Sequence, residues 1–580
     1  MKTKARIFLQ AAVIVAAGLW IYAPALHGGW LWDDNTNLTE NPLMRDPAAL
    51  WKIWFAPQSL DYYPIQMSVE WIQWQLWGVD TFGYHLTNVC LQIVDALLFW
   101  WVLAGAAKTS PGRRPTAGVE GPRVEGWADP AFLGGLLFIV HPMTVESVAW
   151  IVELKNTLSL AFLLLAMISW MDWFRKDEGG NLKPEIRSKL SSSERGTGFQ
   201  PVSIDNMGWK PTPRHFGFQV SSFILRRRSY IFSLLCFVAA MLSKSSVVMF
   251  PVILLLYAWW RRGRVGRRDL VATAPFFLVS LALGLVTIWL QQHRVIQAAV
   301  IPVGGVLSRL AVAGLAPAFY LWKFLVPVNL MPIYPRWDVD PPSALQFLPW
   351  VAILGLGWWL WQTRRRGALF GLGVFFVNLL PVTGAVTVAT MRFTWVMDHF
   401  AYVSLLGLIG LASAAAAEAE SGMRKANTRP ASSWFPLFAF RFSLFLLLAA
   451  LAVSSRGYAK TFAGGRVFWA AAVERNPAAW PAQYNLALAL LEAGQFPAAI
   501  DHLEAAVRLN PDYPAAEVNL ANALGQSGRD AEALPHYTRA LQLDPGNAVA
   551  HYNYGLTLRA LGRAGEAREQ FRTAARLLHP

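Results

Sequence analysis

Two adjacent carboxylates, Asp33 and Asp34, follow the first long apolar run of the chain, within HGGWLWDDNTNLTENP at 27–42. One of two neighbouring aspartates can take a proton from a hydroxyl, while the other orients the acceptor or raises its partner's basicity. The pair could equally bind a divalent cation, and Asp33 could simply cap a helix that begins near Asn35. General-base catalysis, metal binding and helix capping are therefore three hypotheses for this stretch.

Other ionisable or polar residues lie in or beside apolar segments, where a charge is costly and often functional. These candidates are His85, His141, Glu146, Lys155, Lys244, Arg392, Asp398, His399 and Tyr402. Structural explanations also exist, because the histidines could be satisfied by hydrogen bonds and a lysine could extend to the membrane surface. Lys155 is nine positions after Glu146, so the two would face opposite sides of a regular helix. A site that uses both requires the helix to break between them.

The composition indicates a protein that crosses the membrane many times. Of its 580 residues, 55% are hydrophobic and only 15% are charged, whereas globular proteins have about a quarter charged residues. The net charge of +15 does not indicate nucleic-acid binding, because the arginines are clustered between apolar runs, as in cytoplasmic loops. The two cysteines, Cys90 and Cys236, lie inside apolar runs and indicate neither a disulfide framework nor a metal site.

The apolar runs predict about eleven spans, if the N-terminal run is a retained helix rather than a cleaved signal peptide. With the N-terminus inside, the arginines of 108–130, 261–268 and 364–366 fall on the inner side, as the positive-inside rule requires, and the acidic loop 27–84 lies outside. Residues 310–328 would reverse this order if they crossed, so we expect them to be re-entrant or to lie on the outer surface. The predicted spans are 7–26, 85–107, 131–150, 157–173, 230–242, 246–260, 270–290, 347–363, 368–388, 399–417 and 435–453.

The chain divides by composition into four segments. Residues 1–173 form an N-terminal membrane part that contains the outer loop 27–84. Residues 174–229 are polar, aperiodic and rich in Gly, Ser and Pro, which predicts a disordered cytoplasmic insertion without chemistry of its own. Residues 230–455 form a second membrane part, and residues 456–580 are rich in Ala, Leu and Glu. The odd number of spans places this last segment on the side of Asp33.

The C-terminal segment repeats every 34 positions. The residues that share this phase include Asn476, Asn510 and Asp544 before prolines, and Gly494, Gly528 and Gly562 at predicted turns. This pattern predicts three tetratricopeptide repeats (TPRs), at about 477–510, 511–544 and 545–580. Such repeats form an all-α superhelix whose concave face commonly holds an extended peptide or a partner protein.

Several motifs occur in a fixed order before the repeats. They are WDD…NP in loop 27–84, GYHLTN at 83–88, HPMTVESVAWIVELKNTLS at 141–159, YLWKFLVPVNLMPIYP at 320–335, NLLPVTG at 378–384 and DHFAYVSLLGL at 398–408. This order resembles the transmembrane-and-TPR O-mannosyltransferase (TMTC) family and its bacterial relatives. The chain departs from the family pattern at His399, where relatives have arginine, and at Ser404, where they have proline.

The resemblance implies a polytopic all-α bundle of the GT-C glycosyltransferase type. Such an inverting enzyme takes a mannose-like hexose from a polyprenyl-phosphate donor and transfers it to a hydroxyl of an exported protein, which the repeats would bind. It implies a bacterial inner-membrane protein with the site and repeats on the periplasmic side, and no partner nucleic acid. A TPR scaffold without catalysis and a transporter for lipid-linked sugars are the alternatives.

The transfer of a sugar from a lipid phosphate to a hydroxyl needs a base at the acceptor and cations at the leaving phosphate, which suggests roles for individual residues. Asp33 would be the base and Asp34 would assist it, with no required cofactor, although a divalent metal at the pair stays open. The cations expected to bind the donor phosphate are Lys155, Lys244, Arg392 and His399. The supporting residues are His85, His141, Glu146, Asp398 and Tyr402. The histidine at 399 weakens the case for phosphate binding there, because imidazole is only partly charged near neutral pH.

Overall fold

All the regular structure in the described residues is helical, and these ranges contain no strand. The structure is a computed structural model that describes residues 2–55, 62–108, 129–180, 214–296, 301–384, 386–426 and 435–578. The predicted all-α class is therefore confirmed. Helices of the membrane part continue to Ala459, and shorter paired helices follow from Gly465.

The membrane part consists of long apolar helices with short helices between some of them. In chain order, α1 to α15 are Lys2–Tyr22, Ala49–Phe55, Pro64–Trp77, Phe82–Lys108, Pro130–Val140, Glu146–Ala149, Leu154–Gly180, Arg214–Ser243, Phe250–Arg262, Arg267–Leu290, Val306–Leu325, Leu348–Gln362, Arg366–Leu379, Leu405–Ala426 and Phe435–Ala459. Within the described ranges, six helices are long and apolar enough to cross a bilayer: α1, α4, α7, α10, α12 and α15. The pair α5 and α6 adds a seventh if it is one span bent by 59°. Together these coincide with seven of the eleven predicted spans; the other four, 230–242, 246–260, 368–388 and 399–417, contain described helices that do not meet this criterion.

Aromatic side chains fill the interior between α7, α8, α9 and α10. Trp170, Phe237, Tyr257 and Phe276 are all buried, and the Trp170 ring meets the Phe276 ring edge-on with centroids 5.5 Å apart. Lipid tails are as apolar as these side chains, so close packing rather than escape from water holds such helices together. The opposite faces are apolar too: α12 and α15 expose large side chains such as Leu354 outward, which suits contact with lipid.

The segment expected to be re-entrant, 310–328, lies mostly in the single continuous helix α11. Both ends of α11 contact segments on the side of Asp33. Near its start, the Arg309 guanidinium donates a 3.1 Å hydrogen bond to the carbonyl of Gly384, just after α13. At its end, the Phe324 carbonyl lies 3.1 Å from Nε2 of His141, just after α5. The contacts therefore match the other expectation, a helix along the surface, and the re-entrant hairpin is not found.

The polar segment 174–229 differs from the prediction at both edges. Helix α7 continues to Gly180 and α8 begins at Arg214, so residues 174–180 and 214–229 are helical extensions of two membrane helices. The remaining residues of the predicted insertion, 181–213, lie outside the described residues. A polar composition did not exclude helix here, because a helix end projecting beyond the bilayer needs no apolar face.

Three helix pairs occupy the predicted repeats, preceded by one additional helix. In chain order, α16 to α22 are Gly465–Arg475, Trp480–Glu492, Phe496–Leu509, Pro514–Gln526, Asp530–Leu543, Ala548–Ala560 and Ala564–Leu578. Asn476, Asn510 and Asp544 end α16, α18 and α20 with nearly the same backbone angles, φ near −140° and ψ near 80°. Helix α16 therefore corresponds to the second helix of an incomplete repeat. The turn glycine of the first pair, Gly494, has φ of 70°, a conformation that favours glycine.

Candidate functional site

The membrane helix that carries Glu146 and Lys155 is broken between them. Helix α6 ends at Ala149, Trp150 is extended with φ of −93° and ψ of 125°, and a short 3₁₀ turn, Ile151–Glu153, leads into α7. This is the break that a shared site requires. The break changes the direction of the chain, so that Glu146 and Lys155 can contribute to one site although they are nine positions apart.

Two carboxylates and three cationic or basic side chains meet at this break. We call Glu146, Glu153, Lys155, Lys244 and His399 the ion cluster. Glu153 places Oε1 3.0 Å from the Lys155 Nζ and Oε2 3.3 Å from the Lys244 Nζ. Glu146 accepts a 3.1 Å hydrogen bond from the His399 backbone N–H and lies 3.2 Å from its ring Nδ1. Three of the four cations predicted to bind phosphate are thus brought together.

The lysines form the accessible edge of the ion cluster. Glu146 and Glu153 are buried, whereas the side chains of Lys155 and Lys244 keep 19% and 13% of their exposure. The buried Asn156 amide links the cluster internally, since it donates to Glu153 and accepts from Lys244. An incoming anion would therefore meet ammonium groups first, with the carboxylates behind them holding the lysines in place.

Asp34 fastens the outer loop to this broken helix. It is fully buried, and its two carboxylate oxygens accept 2.8 Å hydrogen bonds from the backbone N–H groups of Leu31 and Val152. Burial raises the pKa of Asp34 well above its ordinary value, and the two N–H donors act in the opposite direction. Asp34 is therefore a positioning residue, because it joins loop 27–84 to the turn that precedes Glu153.

The capping hypothesis is not realised as expected. The helical turn after the pair, Asn35–Thr39, has Asp34 rather than Asp33 at its N-cap position, and the Asp34 side chain makes no capping hydrogen bond there. Asp33 is partly exposed, and its backbone carbonyl accepts a 2.8 Å hydrogen bond from the Asn37 amide. The two aspartates thus differ: Asp34 is committed to backbone groups, and Asp33 reaches the surface beside it.

Tryptophan side chains connect Asp33 with the ion cluster. Trp32 has φ of 37°, and its ring stacks on Trp150 with centroids 5.8 Å apart. Trp150 meets the His399 ring edge-on at 6.3 Å. The ring of Phe393 lies 5.7 Å and that of Trp469 5.2 Å from the Trp32 ring. Aromatic rings therefore surround Trp32, the residue directly before Asp33.

Glu70 is a site residue that sequence reasoning missed. It lies in α3, is buried, and accepts a 2.7 Å hydrogen bond from the Gln66 amide. Burial raises the pKa of Glu70 to about 7, and the charge of Lys155 opposes this shift. In the sequence it is one acid among several in loop 27–84. Its depth follows only from the packing of α3 against the bundle, as in the 3.2 Å contact between the Tyr63 and Ser245 hydroxyls.

Several predicted supporting residues join structural segments rather than the ion cluster. The Asp398 carboxylate accepts hydrogen bonds from the hydroxyls of Tyr334 at 2.8 Å and Tyr458 at 3.1 Å, which joins α15 to the preceding loops. Nε2 of His85 lies 3.3 Å from the Gly28 carbonyl and so anchors the start of the outer loop. His141 makes the corresponding contact with the end of α11 described above. The structural explanation fits His141, whose Nδ1 also accepts a 3.3 Å hydrogen bond from the backbone N–H of Met143, whereas Nδ1 of His85 is buried without a hydrogen-bond partner among the described residues.

Tyr402 and Arg392 lie apart from the cluster. The Tyr402 hydroxyl donates to Gln92 and, at 3.0 Å, to the Asp95 carboxylate, inside the helix bundle. Arg392 is exposed, and no contact among the described residues joins it to the ion cluster. Its charge instead acts on the first helix of the second repeat, where burial raises the pKa of Tyr513 and the Arg392 guanidinium lowers it. Arg392 therefore faces the repeats.

The repeats begin directly beside the site. The ring of Phe468 in α16 lies 5.9 Å from that of Trp150, next to the Trp469 contact with Trp32. The Asn476 amide donates a 3.1 Å hydrogen bond to the carbonyl of Ile333 in the membrane part. The repeat domain is thereby adjacent to the loop that carries Asp33.

Known proteins resemble two parts of this chain. Residues 490–534 and 526–577 match the family model described as tetratricopeptide repeat. Two solved repeat proteins are similar to part of the chain: the crystal structure of MamA is 22% identical, covering 28% of this chain and 85% of its own, with a TM-score of 0.18. YrrB, described as a TPR protein with an unusual peptide-binding site, is 23% identical, covering 27% of this chain and 82% of its own, with a TM-score of 0.20. TM-scores this low carry no argument about the function of this chain.

Curated relatives are protein O-mannosyl-transferases. F38B6.6 of Caenorhabditis elegans is 23% identical over 202 residues, which cover 33% of this chain and 26% of the relative. TMTC1 of Homo sapiens is 28% identical over 171 residues, which cover 28% of this chain and 18% of the relative. The chain thus spans about a quarter or less of the length of these relatives. The predicted resemblance to the TMTC family is confirmed by these relatives, and the predicted tetratricopeptide repeats are confirmed by the family model.

Proposed function

We propose that the protein is an inverting membrane glycosyltransferase that moves a mannose-like hexose from a polyprenyl-phosphate donor to a hydroxyl of a protein. One observation carries this proposal. Asp34 joins the loop that carries the partly exposed Asp33 to the turn before Glu153, and Glu153 pairs with Lys155 and Lys244. The names of the curated relatives support the transferase class, and the membrane helices suit a lipid-linked donor.

The proposed reaction is a single displacement. The acceptor oxygen attacks the anomeric carbon of the sugar while Asp33 accepts the hydroxyl proton as general base. The bond between that carbon and the phosphate oxygen breaks, and its electron pair stays on the polyprenyl phosphate, so the anomeric configuration inverts. Lys155 and Lys244 stabilise the charge that develops on the leaving phosphate. The contacts with Glu146 fix the position of His399, which acts as a hydrogen-bonding group in this scheme.

We propose that the transfer requires no metal. A cation bridging the aspartate pair would need oxygens from both carboxylates directed at one point. The oxygens of Asp34 are directed at the backbone N–H groups of Leu31 and Val152. Binding a bridging cation would therefore detach the loop that carries Asp33 from the broken helix.

The acceptor polypeptide is proposed to run from the repeats to Asp33 over an aromatic path. From Trp32, the path continues through Phe393 to Trp480, whose rings lie 6.3 Å apart, and on to Tyr513 at 4.8 Å. Arg392 stands beside this path. We therefore reassign Arg392 from the donor phosphate to the acceptor, where its charge suits acidic side chains near the modified hydroxyl.

The site and the repeats are proposed to face the periplasm of a bacterial inner membrane. The arginine-rich turns after α9 and α12 support this orientation, because they lie at the opposite end of the bundle from Asp33. They adjoin each other there, as the stacked rings of Trp259 and Trp361 show. Positive charge on that side favours a cytoplasmic position.

The test is the transfer of labelled mannose from a polyprenyl-phosphate donor to acceptor peptides by the purified full-length protein. Asp33→Asn should reduce turnover by roughly 10²-fold or more, because it keeps the shape but removes the base. Glu40→Gln is the matched control, since it removes an exposed carboxylate from the same loop. Transfer by a folded Asp33→Asn variant at the control's rate would overturn the base assignment. Absence of transfer by the wild type with any polyprenyl donor would favour the scaffold, and movement of intact donor across vesicles would favour the transporter.

A further inference from the structure

A cavity lies at the opposite end of the bundle from Asp33. It has a volume of about 680 Å³ and lies between the end of α7, the middle of α8 and the start of α10. Trp173, one of its lining residues, follows the ion cluster by about 18 residues along α7, which is roughly 27 Å of helix. The cavity is therefore separate from the proposed transfer site.

The lining of this cavity is positively charged. It contains Arg227 of α8 and Arg267 and Arg268 of α10, against one carboxylate, Asp177. The aromatic walls are fixed: the rings of Trp173 and Tyr230 pack 5.4 Å apart, and the Tyr230 hydroxyl donates a 2.8 Å hydrogen bond to the carbonyl of Ala272. Arginine presents several N–H donors in a geometry that matches phosphate oxygens. The cavity is thus suited to an anionic group.

An apolar surface continues from the cavity toward the middle of the membrane. Ile231, Phe232 and Leu235 of α8 are exposed, and so are Leu270 and Leu278 of α10. A small soluble anion would use the arginines and leave these side chains uncovered. A ligand with a charged head and hydrocarbon chains would use both surfaces at once.

We propose that this cavity binds the headgroup of an anionic membrane phospholipid, with the acyl chains lying along α8 and α10. The phosphate would contact Arg227 and Arg267, and the aromatic pair would sit at headgroup level, where tryptophan and tyrosine are commonly found. A polyprenyl phosphate shares the phosphate chemistry but lacks the two acyl chains that the flanking apolar faces suit. The proposal is independent of the glycosyltransferase function.

The experiment is native mass spectrometry of the detergent-purified full-length protein, titrated separately with phosphatidylglycerol, phosphatidylcholine and a polyprenyl phosphate. Each arginine beside an anionic headgroup strengthens binding roughly fivefold, so the double variant R227Q/R267Q should bind phosphatidylglycerol roughly 30-fold more weakly. The control variant R364Q/R365Q removes the same charge from a turn at the same end of the bundle, outside the cavity, and should bind as the wild type does.

A second variant tests whether the volume of the cavity, rather than its charge, is needed for lipid binding. A272W adds an indole to the cavity wall and keeps every arginine, so it should also lose phosphatidylglycerol, and thermal unfolding shows whether either variant remains folded. Equal losses in R227Q/R267Q and in the control would overturn the proposal, because they would indicate a diffuse surface charge. Equal retention of phosphatidylcholine, or a preference for the polyprenyl phosphate, would overturn it as well, since the site would then not select an anionic phospholipid.

Discussion

Asp34→Ala removes the acceptor of two backbone N–H groups, those of Leu31 and Val152. A buried donor left without a partner costs about 1–3 kcal/mol, so the variant should weaken the contact between loop and broken helix by about 2–6 kcal/mol. Asp34→Asn retains one acceptor oxygen and should cost about half as much. Because Asp34 is fully buried, water cannot readily replace the lost acceptor.

The loss should be local, and amide hydrogen exchange can detect it. The Leu31 and Val152 amides should each exchange roughly 5- to 150-fold faster in Asp34→Ala, the factor that corresponds to the about 1–3 kcal/mol that one lost acceptor costs. Transfer activity should fall as well, because the loop that carries Asp33 would no longer be held on the broken helix. Asp33→Asn is the control: it should lose transfer and keep the wild-type exchange rates at both amides.

Two outcomes would refute this reasoning. If Asp34→Ala lost transfer with unchanged exchange at Leu31 and Val152, Asp34 would act on a substrate directly rather than by positioning the loop. If Asp33→Asn accelerated exchange as strongly as Asp34→Ala, the two carboxylates would share the structural role. In that case neither could be assigned as the base from loss of activity alone.

Three further predictions concern single residues. Burial raises the Glu70 pKa from 4.5 to about 7, so the stability of the wild type falls as the pH rises through this window. Glu70→Gln should therefore increase the free energy of unfolding in detergent by up to about 3 kcal/mol at pH 8 and give no gain at pH 4. Lys244→Ala should raise the KM for the lipid donor at least tenfold and change kcat less, as measured in steady-state transfer; an unchanged KM would remove it from the phosphate site. Arg392→Ala should raise the KM for an acidic acceptor peptide and leave donor binding unchanged, whereas the reverse pattern would restore the original assignment to donor phosphate.

The elements predicted from the sequence were those with a strong local signal. Apolar runs and the 34-residue period depend on composition along one segment, so the membrane helices and repeats could be located without knowing what they contact. The segment 310–328 carried no such signal, because a surface helix and a re-entrant one have the same apolar composition. Only the contacts of Arg309 and Phe324 distinguish them.

The sequence predicted which residues lie in the site better than it predicted what each residue does there. Lys155, Lys244 and His399 were expected to lie together and do, because the start of α7, the end of α8 and the turn before α14 meet around Glu153. Glu70 could not be found, because its burial arises from the docking of α3, and nothing in an amphipathic loop helix marks one acid as special. Asp34 could not be separated from Asp33, since the donors that occupy it belong to the backbone, which the sequence does not display.

The contact between the repeats and the aspartate loop gives the C-terminal domain a structural role in addition to the proposed binding of the acceptor. Trp32 holds a positive φ of 37°, a conformation that costs a bulky residue roughly 1–3 kcal/mol and persists only where the surroundings fix it. The rings of Trp150 and Trp469 lie on it, one from the broken helix and one from α16. The Phe393 ring is a third neighbour, so removing α16 and the repeats would take away one of the three ring contacts of the residue next to Asp33. In the proposed enzyme, the domain that binds the acceptor also helps to hold the loop that activates it.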